Sequence, residues 1–155
     1  MKAISPVIAT VIIVSVAIAI SIAVALWLTG ITSGFTQTEN LQIVSAYAQG
    51  NANNGWALTL SIKNTGTTTA SITNVFINGR PYSSVTGVTV YVAVGTTNQT
   101  LSQWGGSVPV KPGENATVTI IIAPQSTSGF TDGQMVNVKV HTASGRDYPA
   151  TVTLP

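Results

Sequence analysis

No cysteine occurs among the 155 residues. That excludes a disulfide framework and a thiolate metal site, so stability must come from packing, backbone pairing or assembly. Charge is nearly as scarce: 6% of residues are Asp, Glu, Lys or Arg, against about 25% in an ordinary soluble domain. A net charge of +2 with no basic stripe excludes electrostatic capture of nucleic acid. His141 is the only histidine, and the four acids, Glu39, Glu114, Asp132 and Asp147, are scattered along the chain. The patterns G-x-x-x-x-G-K-[ST], H-E-x-x-H and G-x-S-x-G are missing, and with them the phosphate cradle, zinc-protease helix and nucleophile elbow they encode. Gly105-Gly106 after Trp104 reads as a loop, and Trp104 and Tyr91 as packing aromatics. The expectation is a protein that is not an enzyme and needs no cofactor or metal.

What is abundant is apolar surface at one end. No charged residue stands between Lys2 and Glu39. Pro6–Thr29 is 24 uncharged residues, which as a helix would run ~36 Å, enough for a ~30 Å hydrocarbon layer. From Val16 to Leu26 large and small residues alternate, and period two by itself favours a strand. Length rejects that: a strand this long would extend ~80 Å with unmatched edges. Wound as a helix, the same alternation leaves no face for water. It also builds two small-residue columns, Ser15, Ala19, Ala23 and Ala17, Ser21, Ala25, where other helices can approach closely. Ser5 and Pro6 suit a first turn, and Trp27 a membrane-interface belt. Two bland fates stand beside helix packing. One is a simple membrane anchor. The other is a secretory signal peptide, with Ala23-Val24-Ala25 as its A-x-A cleavage site.

Beyond Gly30 the chain turns to Thr, Ser, Asn and Gly. Residues 30–39, with Gly30 and Gly34, read as a hinge or linker. From there alternation takes over. Trp56, Leu58, Leu60 and Ile62 share one face; so do Val88, Val90, Val92 and Val94, then Val118, Ile120 and Ile122, then Val136, Val138 and Val140, then Tyr148, Ala150, Val152 and Leu154. Turn signals separate them at Asn64-Thr65-Gly66, Asn78-Gly79, Pro112-Gly113, Asp132-Gly133 and Ser144-Gly145. Roughly seven or eight such strands predict an antiparallel β-sandwich of immunoglobulin-like type over residues 40–155. The fold class expected is α+β, a long apolar helix followed by that sandwich. Asn98-Gln99-Thr100 and Asn115-Ala116-Thr117 are N-glycosylation sequons, in a chain where Asn and Thr are frequent enough for chance matches.

Lys2-Ala3, followed by Ile4-Ser5-Pro6-Val7-Ile8-Ala9-Thr10 and the long apolar stretch, resembles the start of archaeal type IV pilins, relatives of archaellins and more distantly of bacterial type IV pilins. The likeness covers residues 1–30. Turns such as Ile62-Lys63-Asn64-Thr65-Gly66 and Lys111-Pro112-Gly113-Glu114 are similar to those of pilin head domains. The resemblance implies a leader of residues 1–3, removed by a prepilin peptidase between Ala3 and Ile4. Helix 4–29 would serve as a membrane anchor before assembly and as filament core afterwards. It further implies a homopolymeric extracellular filament on an archaeal cell, used in adhesion, with an assembly ATPase and a membrane platform protein as partners. A three-residue leader is short for the family, and Ile8 stands where bacterial pilins usually carry glutamate. A membrane-anchored binding module and an archaellin of a motility filament are the alternatives.

Overall fold

The computed structural model describes residues 5–35, 37–103 and 105–155. It divides into two compact units between Gln37 and Thr38.

The first unit is one helix, α1 (Pro6–Phe35). The carbonyl of Ser5 opens it, accepting from the N–H groups of Ile8 and Ala9 at 2.9 and 3.2 Å. Its Ile and Val residues are modest helix formers in water. A helix nonetheless pairs its own backbone within the segment, which is what an apolar surround demands. The helix runs through Gly30 and Gly34, so the hinge expected to begin at Gly30 does not begin there. A glycine in a helix costs only about 1 kcal/mol relative to alanine. The Thr29 and Thr32 hydroxyls also bond back to the Ala25 and Leu28 carbonyls at 2.8 and 2.7 Å, within the same turns.

Besides a 3-10 turn at Tyr82–Ser84, the second unit holds, among the described residues, ten strands and a short helix. In chain order they are β1 (Leu41–Asn51), β2 (Gly55–Asn64), β3 (Ala70–Ile77), β4 (Arg80–Pro81), β5 (Val88–Val94), β6 (Thr97–Thr100), β7 (Val108–Val110), β8 (Asn115–Ile122), α2 (Gln125–Ser128), β9 (Met135–Thr142) and β10 (Asp147–Thr153). All pairings are antiparallel. The first sheet has the order β1-β2-β8-β5-β6; the second is β10-β9-β3-β4, with β7 also paired to β3. One apolar core contains the inward residues of both sheets. The β2 set Trp56, Leu58, Leu60 and Ile62 is buried, as are Val118, Ile120 and Ile122 of β8 and Val136, Val138 and Val140 of β9. The Trp56 indole N–H donates to the Pro155 carbonyl at 3.4 Å. The β3–β4 hairpin turns on Asn78 and Gly79, both at positive φ (49° and 78°), as the tight Asn-Gly turn requires.

The last residues of the expected linker belong to the second unit. Thr38–Asn40 lie against the loop after β2: Thr65 N–H donates to the Asn40 carbonyl and Thr67 N–H to the Thr38 carbonyl, each at 2.8 Å. The Asn40 side-chain amide donates to Thr65 Oγ1 at 2.8 Å. Arg146 Nη1 donates to the Glu39 carbonyl at 2.7 Å, and the Glu39 side chain, expected in a solvated linker, is buried. Gly66 permits this approach. A Cβ there would strike the Thr38 carbonyl oxygen and stand 2.7 Å from the Asn40 nitrogen.

Candidate functional site

The feature that most limits function is the surface of α1. Ser15, Ala17, Ala19, Ser21, Ala23 and Ala25, the two expected columns, are all exposed, as are the Ile, Val and Leu residues between them. The hydroxyls do not point outward as donors. Ser15 Oγ donates to the Val11 carbonyl and Ser21 Oγ to the Ala17 carbonyl, each at 2.7 Å; Thr10 Oγ1 donates to the Val7 carbonyl at 2.8 Å. Together with Thr29 and Thr32, these hydroxyls are satisfied inside the helix. Pro6–Thr32 is long and apolar enough to cross a membrane, and such an N-terminal helix serves as an anchor or a signal sequence. Ala3 and Ile4, the expected cleavage pair, lie outside the described residues, as does Trp104.

The second unit presents a wide, nearly uncharged face. Because the even-numbered residues of β8 point into the core, Asn115, Thr117, Thr119 and Ile121 point out. Register then aligns a row Tyr47, Thr59, Thr119, Tyr91 and Thr100 across the first sheet, and beside it Ser45, Ser61, Thr117, Ala93 and Asn98. Asn115 lies next along β8, opposite Lys63 of β2. Both sequon asparagines are therefore exposed, on the same outer face and towards the same end of it. Their convergence was not legible in a sequence where they stand far apart.

The acids, scattered in sequence, are not all isolated in space. The β9–β10 register sets Asp147 opposite His141. His141 Nδ1 and Asp147 Oδ1 are 2.7 Å apart, and Lys139 Nζ is 3.9 Å from Asp147 Oδ2. The imidazole meets the Phe76 ring edge-on, at 5.8 Å between centroids and 87° between planes. The hairpin turns through Ala143, Ser144 and Gly145, closed by the Thr142 N–H donating to the Arg146 carbonyl at 3.0 Å, and this three-residue turn sets Asp147 opposite His141. The recess here is lined by Phe76, Gly79, Lys139, His141 and Asp147, with no hydroxyl or thiol among them. A carboxylate orienting an imidazole prepares a base only where a nucleophile or substrate proton is within reach. Among the described residues no group of three His, Cys, Asp or Glu side chains is placed to hold a metal ion. Glu114 does what turn carboxylates do, its Oε2 accepting the Lys111 N–H at 2.9 Å.

No family model and no curated protein matches the chain. Solved structures that share part of its path include a β-glucosidase from Listeria innocua in complex with glucose, at 16% identity and a TM-score of 0.33. That match covers 76% of this chain and 16% of the glucosidase. A β-D-glucoside glucohydrolase from Trichoderma reesei gives 13% identity and a TM-score of 0.30, covering 77% of this chain and 19% of that one. The chain thus spans less than a fifth of the length of these enzymes, and similarity at this level carries no inference about activity.

Proposed function

We propose that the chain is a pilin-type structural subunit, a polymerising protein and not an enzyme. Helices of many copies bundle in the centre of an extracellular filament, and the β units, immunoglobulin-like sandwiches on this reading, form its outer sheath. One observation carries it. A 30-residue helix is apolar around its whole circumference, its Ile, Val and Leu side chains are exposed, and the hydroxyls of Thr10, Ser15, Ser21, Thr29 and Thr32 bond back to its own carbonyls. Such a helix needs an apolar surround, and lipid or sister helices each provide one. The columns Ser15, Ala19, Ala23 and Ala17, Ser21, Ala25 suit the second, because small side chains let backbones come close. The start of the chain, from Lys2 to Thr10, adds the resemblance to archaeal type IV pilins. From that resemblance come the remaining parts of the reading: cleavage between Ala3 and Ile4, a membrane-anchored precursor, an assembly ATPase and platform protein, and adhesion as the use.

The sheath role draws support from the outer face of the first sheet. Rows of Ser, Thr and Tyr with one lysine let neighbouring copies pack without burying unpaired charge. Electron microscopy of filaments sheared from cells, with mass spectrometry of the product, tests the reading. Expected are filaments composed of this chain, with Ile4 as the first residue. The protein remaining monomeric in the membrane while cells carry no filament containing it would refute the reading.

A further inference from the structure

A recess of about 410 Å³ lies between the β3–β4 hairpin and the segment joining β8 to β9. That volume is at the small end of the range for small-molecule sites, about 300–1,000 Å³. Its apolar lining includes Ile77, Val85 and Phe130; its polar lining includes Asn78, Arg80 and Gln134. No carboxylate lines it.

The polar groups share one property: each has unspent N–H donors to offer. Asn78 Oδ1 accepts the Asn137 N–H at 2.9 Å, which fixes the amide orientation and leaves the NH₂ group over. Gln134 Oε1 accepts the Thr131 N–H at 3.1 Å, with the same result. Ser128 is spent, its Oγ donating to the Ala123 carbonyl at 2.8 Å. Arg80 is exposed and, among the described residues, has no ion pair, unlike Lys139. A guanidinium has donors only. The recess therefore pairs one positive charge and two amide donors with an apolar wall.

We propose that this recess binds a carboxylate-bearing sugar, of the hexuronate class. The carboxylate takes the Arg80 fork in the two-pronged geometry that guanidinium favours. Ring oxygens accept from Asn78 and Gln134, and the C–H face of the ring rests on Val85, the least buried of the three apolar lining residues. A single guanidinium balances a monoanion, whereas a phosphate dianion would be left half-neutralised. The proposal goes beyond the assembly role and does not depend on it, since every lining residue belongs to the β unit of one chain.

The test is titration of the full-length protein in detergent micelles with methyl glucuronide, followed by nuclear magnetic resonance or calorimetry. Methyl glucoside, which differs in lacking the carboxylate, is expected to bind at least tenfold more weakly. Arg80→Gln removes the charge at an exposed position and is expected to weaken glucuronide binding tenfold or more. Gln134→Glu keeps an oxygen for the Thr131 N–H but replaces the donor with an anion, and is expected to abolish binding. Far-ultraviolet circular dichroism and a cooperative thermal melt establish that each variant is folded. The proposal is overturned if glucoside and glucuronide bind alike, if either folded variant binds the glucuronide as the parent does, or if acetate or inorganic phosphate displaces it at equal concentration.

Discussion

The side-chain amide of Asn64, at the end of β2, donates to the carbonyl of Val110, in β7, at 2.8 Å. The two residues belong to different sheets, and Asn64 is fully buried between them. The same amide donates to the Thr68 carbonyl at 2.9 Å, and its oxygen accepts the Gly66 N–H, also at 2.9 Å. The main chain adds two more links: Asn64 N–H donates to the Glu114 carbonyl, and Gly113 N–H to the Asn64 carbonyl. One residue thus ties together two turns that are far apart in sequence. Asn64→Ala strands three partners, Val110 buried and Gly66 and Thr68 half-buried, and is expected to cost roughly 2–3 kcal/mol, taking ~0.5–1 kcal/mol for each. Asn64→Asp should be worse, because it sets a carboxylate against two carbonyls. Urea denaturation of the two variants checks the order, and an aspartate variant as stable as the parent would show that the amide donors hold nothing.

The segment that leads into β1 should matter as part of the β unit. A fragment beginning at Thr38 keeps the bonds from Thr65, Thr67 and Arg146; one beginning at Leu41 loses them. At about 0.5–1.5 kcal/mol each, the longer fragment is expected to be more stable by roughly 2–4 kcal/mol. Both should show mainly strand by circular dichroism, since the alternating core is complete in either. Equal melting temperatures would mean that these bonds merely replace water.

In the helix, Ala19→Phe or Ala23→Phe should block filament formation while the β unit still folds. An overpacked contact costs about 1–3 kcal/mol, and in a polymer every subunit bears it. Filament yield by microscopy, set against the melting of the β unit, separates the two effects. Parent-level yield from both variants counts against close helix packing.

Filaments should also survive acid and high salt. No side chain from Pro6 to Phe35 titrates, so neither protonation nor screening acts on the core directly. Ala19→Glu is expected to reverse this. An unpaired carboxylate in an apolar bundle costs several kcal/mol unless it is neutralised, so assembly should be confined to low pH. Parent filaments that fall apart near neutral pH with their β units intact would show that something other than this core holds them.

Strict alternation made β2, β8 and β9 readable in advance, down to the residues that face the core. Strand β3 was not readable, because its register shifts between Ile72 and Asn74. Ile72 and Val75 are both buried, so the period of two is broken inside the strand. Strands β4, β6 and β7 are too short to display a period at all. The end of α1 was misjudged because glycine was taken as a stop, when neighbouring threonines bond back into the helix on either side of Gly30. The recess around Arg80 could not be found from sequence, since its lining residues come from three segments, the β3–β4 hairpin, the β4–β5 connection and the β8–β9 connection, brought together by the sheet order. For His141 and Asp147 the hairpin was legible but the register was not: a two-residue Ser144-Gly145 turn counts Asp147 opposite Thr142, whereas the three-residue turn from Ala143 to Gly145 sets it opposite His141.

The inward-turned hydroxyls of α1 bear on how such a helix moves between surroundings. On the proposed passage from bilayer to bundle, Thr10, Ser15, Ser21, Thr29 and Thr32 bring their acceptors with them. These five hydroxyls need be neither stripped at departure nor matched on arrival. What remains is the difference between packing against lipid tails and packing against protein, which is small per contact and equal in kind for both directions. On the proposed reading, a subunit built this way would pass between lipid and bundle without exchanging the partners of these hydroxyls.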